Sequence, residues 1–329
     1  MTDDDDAMAT LTTEMRQLLE ALHALGWQPV ATLSPDSARH QPTLADAAAR
    51  VLAQRGKQAS LDGVSTQDLS FGPRDTRVRL YRPDGIAAKA PLILYFPGGG
   101  WVDGNLDAFA GSAAALARST GALVAAASYR LAPEHRFPAA HEDAQAAYRW
   151  LLSQAAGLGG DPQRIALVGE AAGGNLAVNV AVQARDAGLT QAVALALIHP
   201  IVGTDTGSYS YHRNEQSEPL SKADMRWYLK QAINDKDLED KRLNLGDFTL
   251  RGLPGTTVIT ADVDPLMFEG KLFAHKLESS NVPTRYVNFE GVTHGFFGHD
   301  AVLKEARSAQ AVVAEQLVAA FRVATGPRK

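Results

Sequence analysis

A chain of 329 residues with 45% hydrophobic side chains can bury one large core and carry a smaller appendage. A net charge of -5, without any dense Lys/Arg cluster, gives no overall attraction to nucleic acid or anionic lipid; a small neutral organic molecule is the better partner. With no cysteine there is no disulfide, thiolate nucleophile or cysteine metal site.

The start, Met1 to Asp6, is acidic where a secretory leader would be basic, and residues 1–9 read as a disordered or appended tail. The longest apolar run, Ala192 to Ile198, falls far short of the roughly 20 residues that cross a bilayer. A cytoplasmic protein with no membrane span is expected. Leu11, Met15, Leu18, Leu19, Leu22 and Leu25 share one face of a helix over 10–26, and Leu44, Ala48, Val51 and Leu52 share one face of a second over 43–54. Between them, 28–41 is rich in Pro, Ser and Asp and reads as a loop. Two helices ahead of any strand predict a helical cap over residues 1–60 on a sheet domain spanning 61–329, although a layer that only pads the core fits the pattern equally well. The irregular segment 201–246 is expected to add a second piece of that cap.

Alternating side chains over 64–69 and 77–82 predict an antiparallel pair at a sheet edge. From residue 91 the strands change character. The runs 91–96, 122–127, 165–168, 193–198, 257–260 and 285–289 lack clean alternation, as expected of strands buried on both faces. Helical stretches separate them, over roughly 107–119, 139–156, 175–187, 222–233, 266–280 and 303–324. This order predicts an α/β fold with a mostly parallel central sheet and helices on both faces.

Ligands of such sheets bind beyond the carboxyl ends of the strands, where three loops fall. Gly98, Gly99 and Gly100, followed by Trp101, leave backbone N–H groups free to form an oxyanion hole. A phosphate cradle is the rival, but no Gly-Lys-Ser/Thr follows and Trp101 and Val102 crowd the spot. Gly169-Glu170-Ala171-Ala172-Gly173 has the layout of a nucleophile elbow, with Ala171 where a serine hydroxyl would stand. The third pair of loops holds Asp264 and His294. Taken singly, an Asp there serves as a helix cap and a lone His as a structural residue. An elbow, an Asp and a His, each at a strand end and in that order, form the α/β-hydrolase triad sequence with its first member altered.

The stretches Gly98–Gly100, Tyr129–Ala139, Gly169–Leu176, Asp264–Leu266 and His294–Phe296 resemble the hormone-sensitive-lipase-like (family IV) carboxylesterases of the α/β-hydrolase superfamily, a likeness running from about Val78 onward. The resemblance implies an α/β-hydrolase fold with a helical cap over an apolar pocket, and a serine esterase for short- to medium-chain esters that uses no cofactor and no metal. Position 171 would be the nucleophile site, His294 the general base and Asp264 the group that orients it, with Asp262 the competing carboxylate. Backbone N–H groups of Gly99, Gly100 and Ala172 would be the oxyanion donors. Trp101, Phe296 and Phe297 read as pocket walls, with core packing as the plainer alternative. A homodimer is left open.

The chain departs from that family twice. Pro97 stands where His is usual, which removes an N–H and a ring that can hydrogen-bond. Ala171 can neither attack a carbonyl nor pass on a proton. The reading this favours is a carboxylesterase inactivated by replacement of its nucleophile. Two others stand beside it: a non-catalytic ligand-binding protein on an esterase fold, and a non-hydrolytic enzyme that uses the Asp264–His294 dyad as base. Elsewhere, His141-Glu142 begins a zinc motif that lacks its second His, His199 reads as a packed residue at the end of a buried strand, and Glu170 reads as a cavity, solvated or capping residue.

Overall fold

The computed structural model describes residues 11–72 and 76–324, so the tail expected over 1–9 lies outside the described residues. The chain opens with helix α1 (Thr13–His23), capped by Thr12, whose side chain accepts the Met15 N–H at 3.2 Å. After it the expected loop contains a short helix, α2 (Pro35–His40). Ser34 caps it and Pro35 starts it, but only Ala38 is buried, so no apolar periodicity marked it in the sequence. Helix α3 (Leu44–Gln54) begins at a capping box, Thr43 and Asp46 each bonding the other's backbone N–H.

Strands β1 (Val64–Ser70) and β2 (Arg77–Pro83) pair antiparallel, with β1 at the sheet edge. Then follow β3 (Ala90–Phe96), α4 (Ala110–Thr120), β4 (Leu123–Ala127), α5 (Ala139–Gln154), β5 (Gly160–Glu170) and α6 (Ala172–Asp186). The last part comprises β6 (Ala194–Ile198), the short α7 (Tyr209–Arg213), α8 (Lys222–Ala232), β7 (Thr256–Val263), α9 (Met267–Ser279), β8 (Thr284–Thr293) and α10 (Lys304–Val323). The eight strands lie in the order β1-β2-β4-β3-β5-β6-β7-β8, with every pair from β4 to β8 parallel.

The pleat sends alternate side chains to opposite faces, and both faces are covered. Leu92, Leu94 and Phe96 of β3 join one apolar cluster with Ala144 and Leu151 of α5 and Leu176 of α6. Ile93 and Tyr95 join another with Leu18 of α1, Val51 of α3, Leu116 of α4 and Leu317 of α10. Strands β3, β4 and β6 are therefore buried almost throughout. The same burial was expected of 285–289, and there the structure differs: β8 is the far edge, and its residues Thr284 to Glu290 are only half-buried or exposed. Its run resembles the others because Tyr286, Val287 and Phe289 still pack one side against the clusters.

Candidate active site

Strand β5 passes into α6 through a single residue. Ala171 sits at φ 48°, ψ -114°, a conformation that costs a non-glycine residue on the order of 1–3 kcal/mol and persists only where its surroundings enforce it. They do so here: the Ala171 N–H donates to the Ile198 carbonyl at 2.9 Å, and the Ala171 carbonyl accepts the Ile201 N–H at 3.0 Å. The flanking glycines are needed for close approach. A Cβ on Gly169 would lie 2.1 Å from the Gly173 oxygen, and one on Gly173 would lie 2.0 Å from the Phe96 oxygen.

The glycine loop leaves the end of β3 beside this turn; a methyl on Gly98 would sit 3.3 Å from the Ala171 Cβ. The N–H groups of Gly99, Gly100 and Ala172 donate to no protein acceptor among the described residues. With Pro97 in place of a hydrogen-bonding ring, other groups brace the loop. Tyr129 shares its O–H between the Pro97 and Gly98 carbonyls, at 2.8 and 2.9 Å. Arg39 donates to the Val102 carbonyl at 2.8 Å, and Tyr228 donates to Asp103 at 2.7 Å. Burial pushes the Asp103 carboxyl up to about 7.

Beyond β7 and β8, Asp264 accepts from His294 Nδ1 at 2.8 Å. Its other oxygen accepts the Leu266 N–H at 2.8 Å, so this fully buried carboxylate has partners on both oxygens. Asp262, the rival, pairs instead with Arg213 at 3.3 Å. Against the imidazole of His294 lies His199, ring centroids 4.1 Å apart. Glu170 is buried as well, accepts the Tyr95 O–H at 2.6 Å, and has its carboxyl pushed up by burial.

Gly99, Gly100, Ala171 and His294 open together onto one cavity that is partly open to solvent. Residues between 22 and 45 form one wall and residues between 201 and 228 another, chiefly apolar side chains such as Leu22, Trp27, Val30 and Met225. Three expected wall residues lie elsewhere. Trp101 packs toward His141, ring centroids 6.0 Å apart, against a separate small cavity. Phe296 and Phe297 are buried in the core, Phe296 against Phe289 at 5.6 Å. Both sites attract an aromatic for packing, which sequence position alone could not distinguish from wall-lining. His141 is likewise a packed residue, bonded through Nε2 to Asn175 at 3.0 Å. His199, read from the sequence as packed only, does line the cavity, and so does Glu170. The cue for His199 is a backbone φ of 35°, which no residue pattern reveals. Among the described residues no three His, Asp or Glu side chains group as metal ligands, and no helix is long and apolar enough to cross a membrane.

A family model for the α/β hydrolase fold matches residues 93–298. The chain is similar to carboxylesterase NlhH of Mycobacterium tuberculosis, 36% identical over 243 residues that cover 72% of this chain and 76% of that one. It is 35% identical over 311 residues to the ethyl acetate hydrolase of Pseudomonas putida, covering 92% and 95% of the two chains. Among solved structures, an alanine-for-serine mutant of an α/β hydrolase enzyme from the metagenome of Lake Arreo, Spain, matches with a TM-score of 0.83 at 34% identity, covering 95% of this chain and 99% of that one.

Proposed function

The chain belongs to the hormone-sensitive-lipase-like carboxylesterases of the α/β-hydrolase superfamily, and from that premise we propose that its cavity binds small, apolar, short- to medium-chain esters for Ser-His-Asp acyl transfer, with the attacking oxygen absent at position 171. The observation that carries this reading is the His294–Asp264 hydrogen bond of 2.8 Å facing the same cavity as a residue held in the strained elbow conformation. A ligand-binding protein needs the cavity but neither the dyad nor the strain.

With serine at 171, His294 takes the hydroxyl proton as the oxygen attacks the ester carbonyl, and Asp264 holds the imidazole in the required tautomer. The N–H groups of Gly99, Gly100 and Ala172 receive the developing oxyanion. His294 returns the proton to the leaving alcohol, and water, activated by the same imidazole, then releases the acid. Residues 11–60 and 201–246 act as the cap that shapes the pocket and excludes water. As written, the chain binds the ester and turns it over very little, since loss of a triad nucleophile lowers turnover by on the order of 10⁶, about 8 kcal/mol of barrier.

The test is Ala171→Ser assayed on p-nitrophenyl acetate and butyrate. A gain in kcat of roughly 10⁴-fold or more over the chain as written is expected. No gain would favour the ligand-binding reading, which the methyl group at 171 by itself suits. Turnover by the chain as written that vanishes on replacing His294 would favour the dyad acting alone as base.

A further inference from the structure

His199 is 1% exposed, yet neither of its ring nitrogens has a hydrogen-bond partner among the described residues. A buried donor or acceptor without a partner is costly, because water has been stripped from it and nothing replaces it. The nearest acid, Glu170 Oε2, stands 3.6 Å from Nε2, beyond hydrogen-bond reach. The backbone adds to the cost, since a φ of 35° lies in the region that side chains bearing a Cβ avoid. The residue is nonetheless fixed there, its N–H donating to the Ile259 carbonyl at 2.7 Å. Its ring lies against that of His294 and lines the cavity beside Ala171.

We infer that His199 determines specificity by hydrogen-bonding a hydroxyl on the acyl α-carbon, so that the cavity selects esters of 2-hydroxy acids over their unsubstituted isosteres. This rests on the reading of the cavity as an ester site. The scissile carbonyl must sit between position 171 and His294, so a ring packed on His294 reaches only groups within a bond or two of that carbonyl. On the alcohol side such a hydroxyl would make an unstable hemiacetal, which leaves the acyl α-carbon. Burial and the neighbouring His294 both hold the His199 imidazole well below its ordinary pKa. A neutral ring offers one donor and one acceptor, and a hydroxyl, which can donate or accept, pairs with whichever nitrogen it meets. A carboxylate matches less well, because it accepts only and would set a second acid against Glu170. A site that holds such unpaired groups rejects the analogue lacking the hydroxyl more strongly than apolar contacts could.

Binding is measured by calorimetric titration of the chain as written with benzyl lactate and benzyl propionate, which differ only in that hydroxyl. Benzyl lactate is expected to bind at least about 10-fold tighter. His199→Phe, which keeps a ring but removes both nitrogens, should bring the ratio of affinities to one or below, and His199→Asn should restore part of it. In an Ala171→Ser background the same preference should appear as a kcat/KM ratio. Equal affinity for the two esters, failure of both to bind, or a preference that survives His199→Phe overturns the inference. Should His199→Phe not fold, His199→Leu, which also removes both nitrogens, takes its place with the same expectation. Failure of Ala171→Ser to cleave either ester counts against the esterase reading instead, and the binding ratio still decides the role of His199.

Discussion

At the scale of single residues, the site turns on the carboxylate that meets the imidazole. The sequence offered two, and the Pro-Leu that follows Asp264 was the cue that separated it from Asp262. The structure joins Asp264 to His294 and leaves Asp262 with Arg213. In an Ala171→Ser background, Asp264→Asn should lower kcat by about 10⁴-fold, by analogy with other triads, because the amide favours the wrong imidazole tautomer. Asp262→Asn should change kcat less than about 3-fold, since that carboxylate acts within a partly exposed ion pair. Steady-state kinetics on p-nitrophenyl butyrate separate the two. His199 shows where residue-scale reading ran out. An apolar run that ends in His-Pro says the strand is buried, and the turn of φ that brings the ring to the cavity has no signature in residue type.

Among the elements, the order of elbow, Asp264 and His294 was legible because each stands at a strand end, and strand ends can be read from the change of pattern into a glycine turn or a helix. Less legible was what braces the glycine loop once Pro97 has replaced a hydrogen-bonding ring. The brace comes from three distant places: Tyr129 after β4, Tyr228 on α8 and Arg39 on α2. Arg39 also donates to the Ala132 carbonyl and, through both terminal nitrogens, to Glu134, tying α2 to the loop. Helix α2 escaped the sequence reading because it buries only Ala38, yet it carries this guanidinium. Arg39→Ala should therefore lower kcat/KM of the Ala171→Ser form by roughly 10-fold and cost about 1–3 kcal/mol in urea unfolding, through unpaired carbonyls at Val102 and Ala132. Arg39→Lys cannot reproduce the forked geometry and should recover little of either.

For the whole molecule, the mostly parallel sheet, its antiparallel edge pair and the two-sided burial followed from the alternation of strands and helices, whereas the order of the strands was not read from the sequence and edge strand β8 is half-exposed where burial was expected. Charge placement inside the fold was not legible, because it depends on which carboxyls the packing encloses. Burial pushes Asp103 up to about 7 and Glu269 up to about 8, both from the ordinary carboxylate range. Each group holds more protons folded than unfolded between those limits, so each favours the folded state at low pH and loses that contribution as pH rises through the folded value. Stability in urea should accordingly fall as pH rises from about 5 to about 9. Asp103→Asn and Glu269→Gln should each flatten that slope; an unchanged slope in both variants would mean that other groups govern it.

We propose that amides, imidazole and carboxylate converge on position 171. Treating Ala171→Ser with a p-nitrophenyl alkylphosphonate and measuring the intact mass checks this. One adduct per chain is expected, mapped by peptide sequencing to position 171 and lost when His294→Ala is added. An unlabelled chain, or a label that persists without His294, would overturn the arrangement.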